Sequence, residues 1–363
     1  MLAEERREAL LRLVERRGAI KVKDVAEEMG VSAVTVRQDV RDLAGRGLLV
    51  RVHGGAMSPT AAQAADVAAP AAPRQAARQE QALGLVVPPG DYYYPEIIRG
   101  VQDAARTHGA RIVLAVSGET LAENQEQVGR LVAAGVDGLM LMLHAGLEPV
   151  DRTEKWLAGL DVPVVLVDRR PGAEAGRLEQ VASDHAHGAG LAVRHLAELG
   201  HERIALVARA DSPNTPLIRE GYAAACQALG LATGPEYSIA STDGQASPQW
   251  FEELVRAVEA GDVRAALVHN DLDAVTLVGL LRARALRVPE DLAIVTYDDE
   301  VAELSDVPLT AVAPPKRAVG AWAVDLMRRR LADPEAPLAE LLLRPELRVR
   351  ASSRVSPAPG KRA

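Results

Sequence analysis

From Leu83 onward, short apolar runs alternate with longer stretches that are apolar on one side only. Leu83 to Val87, Arg111 to Val116, Gly138 to Leu143, Pro163 to Val167, Ile204 to Val207, Ala265 to Val268 and Ala293 to Thr296 read as strands. Between them, Pro95 to His108, Ala122 to Gly135, His185 to Gly200, Ile218 to Leu229, Pro248 to Ala260 and Leu272 to Ala285 carry apolar residues at helical spacing. A strand that is apolar throughout must be covered on both faces, and the intervening helices supply that cover. The pattern therefore predicts an α/β body with doubly wound parallel sheets. At about 280 residues, such a body is better accommodated as two lobes than as one sheet.

The first 56 residues follow another rule. Leu10, Leu13 and Val14 form one face of a helix that Gly18 can end, and a short strand, Ala19 to Val22, follows. Lys23 to Leu43 has the form of a helix, a tight turn at Gly30 and a second helix capped by Ser32. Val25, Ala26, Met29, Val31, Val36, Val40 and Leu43 can share one small core, which makes the arrangement a helix-turn-helix. Ala33, Thr35, Arg37, Gln38 and Arg41 remain outside that core. They suit a helix lying in a major groove, where Arg pairs with guanine edges, Gln with adenine, and Thr or Arg with phosphate oxygens. Gly45 to Ala56 alternates like a hairpin, a basic wing that would bring Arg46, Arg51 and His53 near the DNA backbone.

Composition separates these regions. Residues 58–82 hold almost no large apolar side chain and are rich in Ala and Pro, so they read as a linker with a mean span of about 25–30 Å. The expected division is a DNA-binding domain at 1–57, a linker at 58–82, a two-lobed body at 83–353 and a tail at 354–363. The net charge of −8 is uneven: residues 1–56 carry +2 and the remainder −10, as expected of a DNA reader joined to an acidic body. Cys226 is the chain's one cysteine, which excludes an intramolecular disulfide and a Cys-x-x-Cys zinc site. No apolar run approaches the roughly 20 residues that span a bilayer, and the charged N-terminus lacks a secretory pattern, so a cytoplasmic protein with no membrane partner is expected.

In the body, polar residues cluster where strand ends meet helix starts, the crevice in which open α/β sheets bind ligands. Asp91-Tyr92-Tyr93-Tyr94-Pro95 follows the first strand and holds half of the chain's six tyrosines, suited either to stacking on a ligand or to packing in a surface turn. Asp168-Arg169-Arg170 and Asp184 place carboxylates where they could accept polyol hydroxyls, cap helices or pair between lobes; for Asp184 the cap is the better reading. Arg219, a cation near a helix start, implies a specific polar or anionic partner. His269-Asn270-Asp271 and Tyr297-Asp298-Asp299 end two further buried strands. His185-x-His187 lacks a third metal ligand, Gly188-x-Gly190 lacks the rest of a dinucleotide fingerprint, and neither a nucleophile elbow nor a phosphate loop appears. No metal, cofactor or catalytic residue is expected.

Two resemblances sharpen this reading. Val31 to Val40, followed by Gly47 to Ala56, resembles the DeoR-type winged helix-turn-helix, although Gln38 stands where that family often has a second basic residue. Asp91 to Gly100, Gly135 to Gly138, Val167 to Arg169, His195 to Ala205, Arg219 to Tyr222, Asn270-Asp271, Val288 to Asp299 and Pro308 to Val312 together resemble the sensor domain of the LacI/GalR family. That resemblance implies a periplasmic-binding-protein-like fold of two lobes. It also implies that Tyr93 and Tyr94 line the cleft with Asp168 and its neighbour Arg169, Arg219, Asn270 and Asp298 binding an effector. Gly244 stands about where many members carry a stacking aromatic, Thr296 replaces a common glycine, and the family's own DNA-binding helices and hinge helix are absent. The expected function is a dimeric transcriptional regulator, a repressor, controlled by a small molecule such as a carbohydrate. The alternatives are a cytoplasmic binding protein or an enzyme on the same two-lobed fold, without gene control.

Overall fold

The computed structural model describes residues 3–17, 19–31, 35–36, 39–40, 43, 49–52, 55–57, 81–89, 92–118, 120–142, 150–169, 178–239, 241–242, 245–246 and 249–354. The chain divides into two compact units, residues 1–78 and 79–363. The expected linker at 58–82 lies outside the described residues except for its last two positions, and the expected tail except for Arg354.

In the first unit, α1 (Ala3–Arg17), β1 (Ala19–Lys21) and α2 (Val22–Met29) precede β2 (Val50–Val52) and β3 (Gly55–Met57). Gly30, at φ +64°, ends α2 in a left-handed turn that costs glycine little, and the amide of Val31 bonds back to the carbonyl of Ala26 at 3.0 Å. The chain is helical again at Thr35, Val36, Asp39, Val40 and Leu43. Leu10, Val14, Val25, Val36, Val40 and Leu43 close on one core, as their spacing requires. Strand β3 lies between β1 and β2 and pairs antiparallel with both, with Arg51 opposite Ala56, which gives the wing its hairpin. Asp39 is buried and accepts from Arg6 Nε at 2.5 Å, Arg6 Nη2 at 3.2 Å and Arg7 Nε at 3.3 Å, tying the second helix of the motif to α1.

The second unit opens with β4 (Ala82–Val87), α3 (Pro95–Thr107), β5 (Arg111–Val116), α4 (Leu121–Ala133), β6 (Gly138–Leu141), α5 (Val150–Ala158), β7 (Val164–Val167) and β8 (Glu179–Ser183). A second run follows: α6 (His185–Glu198), β9 (Arg203–Arg209), α7 (Thr215–Leu229), β10 (Ala232–Ile239), the short pair β11 (Ser241–Thr242) and β12 (Gln245–Ala246), α8 (Gln249–Glu259), β13 (Ala265–His269), α9 (Asp271–Ala283), β14 (Ala293–Tyr297) and β15 (Thr310–Ala313). The chain then returns through α10 (Lys316–Ala332), β16 (Glu340–Leu343) and β17 (Glu346–Arg348). The first sheet, order β16-β8-β7-β6-β4-β5, is parallel throughout; the second, order β10-β9-β13-β14-β15-β17, is parallel except for β17. These sheets are the two lobes, and the chain crosses between them at residue 184, at 314–315 and at 344–345.

Two elements that the apolar pattern does not mark are built on close packing and on a hidden charge. Helix α10 meets α3 through glycines: a Cβ on Gly100 would fall 2.0 Å from the Arg317 carbonyl oxygen, and one on Gly320 would fall 2.1 Å from that of Ile97. Small residues at the seam leave little amphipathic signal. Strand β8, Glu-Gln-Val-Ala-Ser, reads as polar yet is buried along its whole length, with Arg330 Nε 3.2 Å from the Glu179 carboxylate.

Candidate functional site

In both sheets the parallel strands end toward the space between the lobes, so the residue after each strand faces the opposite lobe. From the first lobe, β4 leads to Tyr92, Tyr93 and Tyr94, and β7 leads to Asp168 and Arg169. From the second, β13 ends at His269 before Asn270 and Asp271, and β14 ends at Tyr297 before Asp298. Asp168 and Asp298 take positive φ, 51° and 85°, a conformation Asp tolerates better than most residues and one that ends each strand abruptly.

These ends meet across the cleft. The Tyr92 hydroxyl donates to Asp271 and lies 3.4 Å from Asp298 Oδ2. His185, the first residue after the crossing at 184, sets Nδ1 3.2 Å from the Tyr297 hydroxyl and Nε2 3.7 Å from Asp168 Oδ1. Gly188, one turn further on, leaves room for that phenol, since a Cβ there would lie 2.3 Å from its oxygen. Lys316, at the start of α10, donates to the Asp298 carbonyl, pairs with Glu300 at 2.5 Å and sits 5.1 Å from the centre of the Tyr93 ring.

The expected effector residues separate by environment. Tyr93, Asp168 and Asp298 are buried together at the cleft. Tyr94 is half-buried and accepts from Arg169 Nη2 at 3.1 Å, while Arg169 Nη1 donates to the Asp168 carbonyl at 2.7 Å. Asn270 caps α9, its side-chain oxygen accepting from the Asp273 amide at 3.3 Å. Arg219 is not brought to this cluster: it is exposed on α7, held by both carboxylate oxygens of Glu236, which is the anionic partner its position implied. Asp184 caps α6 through the His187 amide at 2.9 Å, as its place before a helix suggests. Thr296 donates to the Val268 carbonyl within the second sheet. Tyr92, Asp271, His185, His269, Tyr297 and Lys316 were not singled out as site residues, although strand-end position marks all but Lys316, which follows two prolines at a crossing.

Burial controls the electrostatics. It pushes the Asp298 carboxyl up to about 7; Lys316 opposes this, while Asp271, Asp168 and Glu300 add to it. Burial likewise raises the Tyr92 and Tyr93 phenols and drives the His269 imidazole down to about 3, with His185 adding to the second effect. For Asp168 burial acts upward too, but His185, Arg169 and the Ser183 amide outweigh it and hold the group below the ordinary range. Asp271 is saturated: Oδ2 accepts the amides of Glu300, Val301 and Ala302 at 2.6, 2.7 and 3.0 Å. By contrast, Asp168 Oδ2, Asp298 Oδ1 and the Tyr93 hydroxyl are buried with no hydrogen-bond partner among the described residues.

In the first unit, Thr35 is half-buried in the second helix of the motif, and Arg51 lies in β2. Ser32, Ala33, Arg37, Gln38, Arg41, Arg46 and His53 lie outside the described residues, as does Gly244 in the body. No described helix is long and apolar enough to cross a membrane.

Comparison with known proteins agrees with both units. The DeoR-like helix-turn-helix domain matches residues 6–62, and the periplasmic binding protein-like domain matches residues 193–353. The arabinose metabolism transcriptional repressor of Geobacillus stearothermophilus is 26% identical over 343 residues, 91% of this chain and 90% of that protein. The HTH-type transcriptional repressor CytR of Escherichia coli K12 is 28% identical over 293 residues, 78% of this chain and 83% of its own. A solved transcriptional regulator, CelR in complex with cellobiose, superimposes with a TM-score of 0.63 at 26% identity, covering 92% of this chain and all of that one. The chain thus carries a DeoR-like helix-turn-helix domain in its first unit and a periplasmic binding protein-like domain in its second.

Proposed function

We propose that the chain is a DNA-binding transcriptional repressor whose operator affinity is set by a small molecule, a carbohydrate or related metabolite, held between the two lobes of the body. The observation that carries this reading is the convergence of strand ends from both lobes on buried carboxylates, Asp168 and Asp298, each with one oxygen that has no hydrogen-bond partner among the described residues, in a chain that also has a helix-turn-helix. A buried acceptor left unpaired costs about 1–3 kcal/mol, which a ligand hydroxyl would recover. The relatives' names add support: two are repressors, and the solved neighbour holds a disaccharide.

In this reading Ser32, Ala33, Thr35, Arg37, Gln38 and Arg41 approach the major groove, and Arg46, Arg51 and His53 the backbone beside it. Tyr93, Tyr94, Asp168, Arg169, Asn270 and Asp298 form the effector site, which Arg219 joins only by leaving Glu236. The regulator works in the cytoplasm as a homodimer, because one short reader makes few base contacts and paired half-sites multiply them. The domains run 1–57 and 83–353, with residues 58–82 as the linker between them. No catalytic step is assigned. Selection of a preferred duplex from a randomised pool tests the DNA half; enrichment of no sequence by the full chain contradicts it.

A further inference from the structure

A cavity of about 390 Å³ lies at the end of the first lobe away from the cleft, bounded by the end of α5, the starts of β7 and β8, and the chain that follows α10. Ligands of open α/β sheets bind at the carboxyl ends of the strands. This cavity is at their amino ends, and along β7 it is separated from Asp168 by roughly 13 Å, at about 3.3 Å per residue. Its volume is in the range that takes a small organic molecule. Leu157, Leu160, Val164, Leu178 and Leu338 give it apolar walls. Glu179 and Arg330 also line it, as does Asp161, which is exposed and stays solvated.

The charged pair is hidden, with the Glu179 side chain 1% and the Arg330 side chain 13% exposed. Arg330 Nε donates to Glu179 Oε2 at 3.2 Å, and Nη1 donates to the carbonyls of Pro334 and Ala336 at 2.7 and 2.8 Å, which fixes the guanidinium in place. An arginine and a carboxylate commonly close with two parallel bonds. Here one is made, and Glu179 Oε1 and Arg330 Nη2 are both buried with no partner among the described residues. An unpaired acceptor and an unpaired donor on neighbouring groups call for a ligand that offers one of each. The pair is neutral as a whole, so a ligand with a net charge of its own would carry that charge unbalanced between apolar walls.

We infer that this cavity is a small-molecule site separate from the cleft, and that it takes a neutral carboxamide or lactam on a short apolar body, the carbonyl accepting from Arg330 Nη2, the N–H donating to Glu179 Oε1 and the body lying against the leucines. An amide presents its acceptor and its donor on two adjacent atoms, as the open pair requires, whereas a hydroxyl offers both from one. The inference is independent of what the cleft binds.

The test is leucine-methyl NMR of the full chain titrated with hexanamide, δ-valerolactam, hexanoate and hexylamine, the signals being assigned by single conservative leucine substitutions. Saturable shifts of the Leu157, Leu160, Leu178 and Leu338 methyls are expected with the two amides, at concentrations at least about fivefold lower than with either charged probe. Glu179→Gln keeps the shape of the side chain and leaves Arg330 without its counter-charge, so the preference should turn to hexanoate by at least about fivefold. Leu338→Ser alters a half-exposed wall residue outside the pair. It should weaken hexanamide several-fold, read from the other three leucines, with little change in unfolding temperature, and it keeps the test open should Glu179→Gln fail to fold. No shift of these leucines with either amide up to its solubility limit overturns the inference. Tighter binding of hexanoate or hexylamine than of the amides by the parent protein overturns the assigned ligand class, and amide-induced shifts confined to other leucines, or unchanged by Leu338→Ser, overturn the site.

Discussion

Two buried aspartates, one in each unit, show how differently the same side chain is used. Asp39 in the DNA-binding unit is enclosed by donors from Arg6 and Arg7. Asp298 in the body is equally buried, but it has one unpaired oxygen among the described residues and a carboxyl pushed up to about 7. A carboxylate satisfied by its own chain fixes a helix in place. One left unsatisfied raises the energy of the closed, empty cleft, and a ligand that supplies the missing donor gains that energy as a preference for closure.

If the contrast holds, the largest effect should come from the satisfied member. Asp39→Ala removes the buried carboxylate through which Arg6 and Arg7 hold the second helix of the motif, and the first unit should then melt about 5–10 °C lower and lose affinity for all DNA sequences alike. Calorimetry that separates the two units checks this; an unchanged first transition would mean the ion pair holds nothing. On the DNA face, Arg37→Ala and Gln38→Ala should each cost about 1–3 kcal/mol on the preferred duplex and little on random DNA, whereas Arg51→Ala should weaken every sequence equally. Equal losses on both duplexes for all three would remove the groove assignment.

A smaller effect is expected from the unsatisfied member. The folded chain keeps the Asp298 proton up to about pH 7, whereas the unfolded chain releases it in the ordinary Asp range. The stabilising contribution of that proton is complete below the ordinary range and is lost as pH rises through 7. The gap in unfolding temperature between Asp298→Asn and the parent should therefore widen by a few degrees from about pH 5.5 to 8. A constant gap would show that the group does not titrate there. Effector affinity should rise over the same interval by several-fold, since an ionised Asp298 accepts the ligand's donors better than a protonated one; titration calorimetry at each pH reads this directly.

Much of this was legible in the chain because burial of an apolar strand leaves a strong mark. Val164 to Val167 and Ala265 to Val268 point to covered parallel strands, and the polar residues that follow them point to the cleft. The core of the helix-turn-helix was equally plain in the spacing of Val25, Val36, Val40 and Leu43. What escaped was decided by partners distant in sequence. Nothing local distinguishes Tyr92 from Tyr93 and Tyr94, yet Tyr92 is the tyrosine whose hydroxyl crosses to Asp271, 179 positions away. Arg219 has the sequence context of an effector ligand, and only the fold places Glu236 against it. Strand β8 hides its polarity in the ion pair between Glu179 and Arg330, and α10 hides its packing in small residues such as Gly320.

The central claim is that occupancy of the cleft sets affinity for DNA. Fluorescence anisotropy of the selected duplex with the full chain, with and without the sugar or polyol probe that raises its unfolding temperature most, tests this in the parent and in Asp298→Asn. The account predicts a change in Kd of at least about fivefold in the parent, much reduced in the variant, with similar DNA affinity for the two proteins when no probe is present. Equal affinity with and without a bound probe in the parent, or the same change in both proteins, would contradict it.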